Sequence, residues 1–201
     1  MSEERATVVV VEDEPDLADL YAAWLEGSYD VHAAYGGEEA LEIVAALDRT
    51  DVVLLDRRMP DVSGDEVLTA LRERDVDARV AMVTAVEPDF DIVAMGFDDY
   101  LVKPVSREAL EQTVSKLLLR DEYAVGVREL FSLASKKALL EAEKSAAELD
   151  ASEEYAELSA RIETHRADLD ATLDRLSETS DLSELYRDLE AEELASEEAG
   201  D

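Results

Sequence analysis

The stretch DVVLLDRRMPDVSG, residues 51–64, decides how the chain is read. Val52 to Leu55 are four apolar residues in a row, the pattern of a short strand covered on both faces. The run stops on a carboxylate, Asp56. The chain then turns through Pro60 and Gly64 into GDEVLTALRERD (64–75), which has helical spacing. A buried strand that ends on an acid and hands over to a helix is one unit of an alternating fold. Its meaning depends on what the rest of the chain places around that acid.

The same alternation extends in both directions. TVVVVED (7–13), YDVHAAY (29–35), ARVAMVTA (78–85) and DDYLVKP (98–104) read as four further strands. PDLADLYAAWLEG (15–27), with Pro15 early and Gly27 at its end, reads as a helix, as do GEEALEIVAAL (37–47) and SREALEQTVSKLLLR (106–120). A short helix is expected between Pro88 and Met95. Strands alternating with helices predict an α/β fold, a (βα)5 doubly wound parallel sheet with helices on both faces.

After residue 120 the strand signals vanish, and no proline follows Pro104. Tyr155, Leu158, Ile162, His165, Leu169, Thr172 and Leu176 follow heptad spacing. Upstream, Val127, Phe131, Ala134, Ala138 and Ala142 form a stripe, with Leu130, Leu133 and Leu140 to its side. Asp150 with Glu153 has the form of a capping box and predicts a break over 150–155; Asp181 with Glu184 repeats it before a last polar helix. The expected organisation is a first domain over 1–120, then an all-α region over 121–201. The latter is a coiled-coil-like helical hairpin (121–178) with a frayed acidic C-terminus; one unbroken helix is the competing reading.

Composition narrows the function. The absence of cysteine excludes disulfides and thiolate metal sites. No apolar run approaches a membrane span and the N-terminus lacks a signal-peptide pattern, so a cytoplasmic protein without membrane contact is expected. Nineteen basic residues face 52 acidic ones, a net charge of −33, split almost evenly at residue 120 into −17 and −16. Such self-repulsion opposes folding at ordinary ionic strength and is screened in molar salt, which points to a halophilic protein.

In a doubly wound sheet, functional groups gather at the carboxyl ends of the strands. Strand one ends in Glu12 and Asp13, strand three in Asp56, strand four in Thr84 and Ala85, strand five in Lys103 before Pro104. Three carboxylates so placed raise one another's pKa unless a cation intervenes, and Mg²⁺ suits a site of few carboxylates, waters and a phosphate. Asp56 can then act as a carboxylate nucleophile toward phosphorus, Lys103 can neutralise phosphoryl oxygens, and Thr84 can donate a hydrogen bond to one of them. Ala85 leaves room for the group to enter.

With VVEDEPDL, LLDRRMPDVSGDEVL, MVTA and DDYLVKP in this order and spacing, residues 7–120 resemble the receiver domain of two-component response regulators, the CheY-like, flavodoxin-like fold. The resemblance implies that Asp56 accepts a phosphoryl group from a sensor histidine kinase. It implies that Asp13, Asp56 and the backbone carbonyl of Arg58 bind Mg²⁺, with Glu12 acting through water. It also implies that Thr84 and Tyr100 form the switch pair, that Lys103 contacts the phosphoryl group, and that the Lys103–Pro104 peptide is cis. Arg58 is less typical of the family. A long cation beside the acceptor bears on how water reaches the phosphoryl group, hence on the lifetime of the phosphorylated state.

LFSLASKKALLEAEKS (130–145), with a second helix after it, resembles the HalX domain that follows receivers in haloarchaeal regulators. His165 lies at a seam position and reads as a packed residue, without a second His or Cys at ligand spacing. Lys136 and Lys137 read as a solvated pair. The reading is therefore a phosphoprotein switch whose helices contact a partner or a second copy, as a homodimer through the receiver face or the C-terminal helices. The alternative is a DNA-binding transcription regulator, against which the −16 of the second part argues, although molar salt weakens the objection. No separate enzymatic domain is expected. A phosphotransferase of the haloacid dehalogenase type would carry its aspartate on strand one, whereas the acceptor-like aspartate here ends strand three.

Overall fold

A computed structural model describes residues 5–179. Five strands form one parallel sheet: β1 (Thr7–Val11), β2 (Asp30–Ala34), β3 (Val52–Leu55), β4 (Arg79–Thr84) and β5 (Asp99–Val102), in the order β2-β1-β3-β4-β5. Registers pair Val9 with His32 and Val53, Val53 with Val80, and Val83 with Leu101. The buried residues of β1, β3 and β4 are apolar, apart from Thr84 at the end of β4, because helices cover both faces.

Val9, Val11, Val53, Leu55, Val80 and Met82 point to one face, where α2 (Gly37–Ala46) and α3 (Gly64–Glu73) supply Ala40, Val67, Leu68 and Leu71. Val8, Val10, Val52, Leu54, Ala81 and Val83 point to the other. There α1 (Pro15–Leu25) and the first turns of α4 (Arg107–Glu143) bring Tyr21, Leu25, Leu110, Val114 and Leu117. Alternation of period two along each strand thus feeds two separate cores. The expected doubly wound α/β architecture is the one found.

Two elements differ from the sequence reading. The helix expected at 88–95 is a 3-10 helix, Phe90–Ala94. Phe90 and Val93 lie 92% and 84% exposed, so these two side chains contribute no packing that would hold a longer helix. The fifth helix, expected to end at residue 120, runs unbroken to Glu143. No proline interrupts it, and a single glycine, Gly126, is a tolerable cost of about 1 kcal/mol.

The chain divides into two compact units, Met1–Leu118 and Leu119–Asp201. Within the described part of the second, the later turns of α4 lie antiparallel to α6 (Glu153–Thr179). Glu122 accepts a hydrogen bond from Thr172 at 3.2 Å, Glu129 lies 3.8 Å from His165, and Glu141 accepts from the Tyr155 hydroxyl at 2.6 Å. Leu133, Ile162 and Thr172 are buried in this seam. All seven heptad positions from Tyr155 to Leu176 are buried or half-buried.

The expected break within 150–155 is present, between Asp150 and Glu153, and a second one that the sequence reading did not anticipate falls at Lys144–Ser145. Ser145 caps the short α5 (Ala146–Asp150) in a reciprocal box with Glu148. Ser152, not Asp150, caps α6, accepting from the Tyr155 amide at 3.1 Å. A hydroxyl at the residue immediately before the helix outcompetes a carboxylate two positions earlier. The last polar helix anticipated after Asp181 lies outside the described residues.

Candidate functional site

The chain order reverses between β1 and β3, and the crevice at their carboxyl ends collects the acids. The ladder continues one residue past each strand. The Glu12 amide donates to Ala34, the Asp56 amide to Val11 and the Lys103 amide to Thr84, at 3.0, 2.9 and 2.8 Å. These bonds fix where each side chain leaves the backbone.

Glu12, Asp13 and Asp56 each offer a carboxylate oxygen within 4.8 Å of the others. Glu12 and Asp56 are buried and Asp13 half-buried. Lys103 Nζ spans the gap, 2.5 Å from Glu12 Oε2 and 2.6 Å from Asp56 Oδ2. Burial raises the Glu12 pKa, against hydrogen bonding to Lys103, which lowers it. Burial alone depresses the Lys103 pKa, but the bonds to Asp56 and Glu12 outweigh it and hold the ammonium above its ordinary value. Three carboxylates against one ammonium leave a net charge of −2 in a confined site.

Glu12 Oε1 is buried without a hydrogen-bond partner. A buried acceptor left unpaired costs about 1–3 kcal/mol. A divalent oxygen-seeking cation, or water held by one, is the partner that this donor set and charge would suit.

Thr84 is fully buried at the end of β4, and its Oγ1 accepts from the Val86 amide at 3.3 Å. The Tyr100 hydroxyl donates to the Val86 carbonyl at 2.8 Å, and its half-buried ring packs on Phe97 at 5.5 Å. Both members of the expected switch pair therefore hold one residue, Val86, which the sequence reading passed over. Arg58 is exposed, and its amide donates to Asp56 Oδ1 at 3.2 Å. Arg57 is braced by Asp65 at 3.1 Å. The Lys103–Pro104 peptide is cis.

Gly64 is a second residue whose bearing on the site the sequence reading missed. Its amide donates to the Arg57 carbonyl at 3.0 Å, and a Cβ there would stand 2.1 Å from the Asp56 carbonyl oxygen. Only a residue without a side chain lets the start of α3 lie against the backbone of Asp56. Gly64→Ala is expected to destabilise the first unit by about 1–3 kcal/mol through forced backbone displacement, despite the gain of about 1 kcal/mol in helix propensity. A chemical denaturation series checks this; a variant as stable as the parent would show that the contact relaxes freely.

Residues 8–115 match the response regulator receiver domain. The chain belongs to that family. Residues 119–186 match the HalX domain, so a receiver is followed by a HalX region. A Haloferax volcanii protein assigned to transcriptional regulation is 49% identical over 199 residues, covering 94% of this chain and 33% of that protein. The alkaline phosphatase synthesis transcriptional regulatory protein PhoP of Bacillus subtilis is 36% identical over 127 residues, covering 61% of this chain and 52% of its own. The response regulator TrrA of Thermotoga maritima, solved in complex with Mg²⁺-BeF, is 35% identical with a TM-score of 0.50, over 56% of this chain and 99% of TrrA. The chain spans a third to about half the length of the curated relatives it matches. Among the described residues of this receiver protein, no helix is long and apolar enough to cross a membrane.

Proposed function

We propose that this chain is a cytoplasmic two-component response regulator that accepts a phosphoryl group on Asp56 from a sensor histidine kinase. The observation that carries the reading is the convergence of three carboxylates on one lysine ammonium at the sheet's reversal point, with one buried carboxylate oxygen left over.

Asp56 supplies the attacking oxygen. A bond forms from its carboxylate to phosphorus while the phosphorus–nitrogen bond of the donor imidazole breaks, and the imidazole keeps the electron pair and takes up a proton. Lys103 Nζ, already on Asp56, is placed to move onto an oxygen of the incoming group. The Thr84 hydroxyl turns from the Val86 amide to donate to a second oxygen. Because Tyr100 also holds Val86, that turn is felt at the aromatic ring. Asp13, Asp56, the Arg58 carbonyl and, through water, Glu12 would hold Mg²⁺. When bound, that ion neutralises charge on the phosphoryl oxygens.

The output is a change in conformation or association of the HalX region. A homodimer, through the receiver face or the C-terminal helices, is part of this reading. The regulatory names of the relatives keep a DNA-binding alternative, disfavoured by the net charge of −16 beyond residue 120. Turnover of phosphate monoesters is not expected.

The test is labelling by a small acyl-phosphate donor. Incorporation is expected with Mg²⁺ and at least about tenfold less after chelation, the loss of one modest charge contact or more in the transition state. Equal labelling with and without chelator would remove the metal from the reading. For the output, wild type and Tyr100→Ala are compared by sedimentation with and without donor in molar KCl. A donor-induced change confined to wild type is expected; equal association in all four samples would disconnect the helices from the receiver.

A further inference from the structure

The later turns of α4 present exposed apolar residues beside the side that meets α6. Residues facing α6 include Leu133, buried, and Gly126, whose Cβ position would meet Leu169. At about 100° per residue, Val127, Phe131 and Ala138 fall on a neighbouring side roughly a third of a turn away, with the half-buried Ala124 and Ala134 at its edges, a 3-4 spacing that makes a second heptad seam. Phe131 is 75% exposed, Leu139 65% and Val127 41%.

Charge distinguishes this face from the rest of the chain. Acids make up 52 of 201 residues, yet the 18 residues from Tyr123 to Leu140 contain one, Glu129. That one is beside His165 on the α6 side. The same segment holds Arg128, Lys136 and Lys137, so it is locally cationic in a chain of net charge −33. Lys137 lies over the Tyr155 ring, while Arg128 is exposed beside the apolar seam. An ordinary solvated helix of this protein would carry carboxylates there.

We propose that this face of α4 docks a second copy of the chain, antiparallel about a two-fold axis near Ala134 and Ser135. A second copy carries the same −33, so two copies approach at least cost where carboxylates are missing and Arg128 borders the contact. Antiparallel pairing sets Phe131 of each copy over Ala138 of the other, large against small, the arrangement that fills space between helices. Parallel pairing would stack Phe131 on Phe131 and leave gaps between facing alanines. Roughly four turns of one helix fall short of the ~1,200–2,000 Å² of a stable interface, so the association is weak and rises with protein and salt concentration. This deepens the homodimer part of the reading above and rests on that part alone. The test uses unphosphorylated protein, so a failure of phosphotransfer at Asp56 leaves its outcome untouched.

Sedimentation velocity of the full chain in molar KCl, over a concentration series without phosphodonor, is expected to show reversible dimerisation. Phe131→Glu should weaken it at least about tenfold, as loss of an aromatic anchor does. Leu173→Glu, at an exposed position on α6, should leave it unchanged. Circular dichroism checks that Phe131→Glu keeps its helices; Ala138→Glu serves the same purpose if it does not. The chain has no cysteine, so single cysteines report intermolecular contact alone. Ala134→Cys should oxidise to a covalent dimer and Ala124→Cys should not. The proposal is overturned by a monomer at every concentration, whatever then covers the face. It is equally overturned by association that Phe131→Glu leaves intact, or by equal crosslinking at positions 124 and 134.

Discussion

Asp56→Asn is expected to abolish phosphoryl incorporation while the protein stays folded. The substitution keeps the shape of the side chain at a position 7% exposed, and an amide oxygen can still accept from Lys103 Nζ. What it removes is the anionic oxygen that forms the bond to phosphorus. Neighbouring Glu12 and Asp13 do not substitute for it. Glu12 is itself buried and tied to Lys103, and Asp13 leaves the end of β1 rather than that of β3. The fold is expected to tolerate the change, because the site loses one of three mutually repelling carboxylates along with half of one ion pair. Donor labelling followed by mass measurement gives the answer, with circular dichroism as the control. Undiminished labelling in a folded Asp56→Asn protein would move the acceptor elsewhere.

The second large effect is on stability in salt. The net charge of −33 spreads over both parts of the chain, and exposed acids far outnumber the cations available to pair with them. At ~0.1 M salt the screening length is about 10 Å, long enough for these carboxylates to repel one another; near 1 M it is about 3 Å. Raising KCl across that range should lift the melting temperature on the order of 10 °C, the shift that about 2–4 kcal/mol of relieved repulsion gives a chain of this size. Ion pairs of the first unit such as Arg79–Asp98 and Lys116–Asp99 are partly buried and lose less to screening than the surface gains. A melting temperature that is flat or falls with KCl would contradict the halophilic reading.

Much of this was legible in the residues. The short apolar runs at 7–11, 52–55 and 79–84 could be covered only on both faces, and this dictated a parallel sheet with helices on each side. Once that sheet is accepted, Glu12, Asp13, Asp56, Thr84 and Lys103 come to one edge without further assumption. The heptad positions of α6 were equally plain because a two-helix seam has a single apolar stripe to bury.

Other features were hidden for identifiable reasons. A helix end needs a stop signal, and between Leu119 and Lys144 there is none, so the helix read as 106–120 continues to Glu143. The Ser145–Glu148 box has the serine-to-glutamate spacing of a helix start, but it sits inside a run of good helix formers and was masked by them. Gly64 reads as a turn glycine until its distance to the Asp56 carbonyl is known. Val86 has no side-chain chemistry, and its place between Thr84 and Tyr100 comes from its backbone, which a sequence does not display.

The central claim, that Asp56 is the phosphoacceptor, is tested most directly by locating the phosphoryl group. Protein phosphorylated in Mg²⁺ and molar KCl, trapped by borohydride reduction of the acyl phosphate and digested, should yield one modified peptide, the one containing Asp56. Modification at Glu12, at Asp13 or at any residue beyond 120, with Asp56 unmodified, would contradict the account.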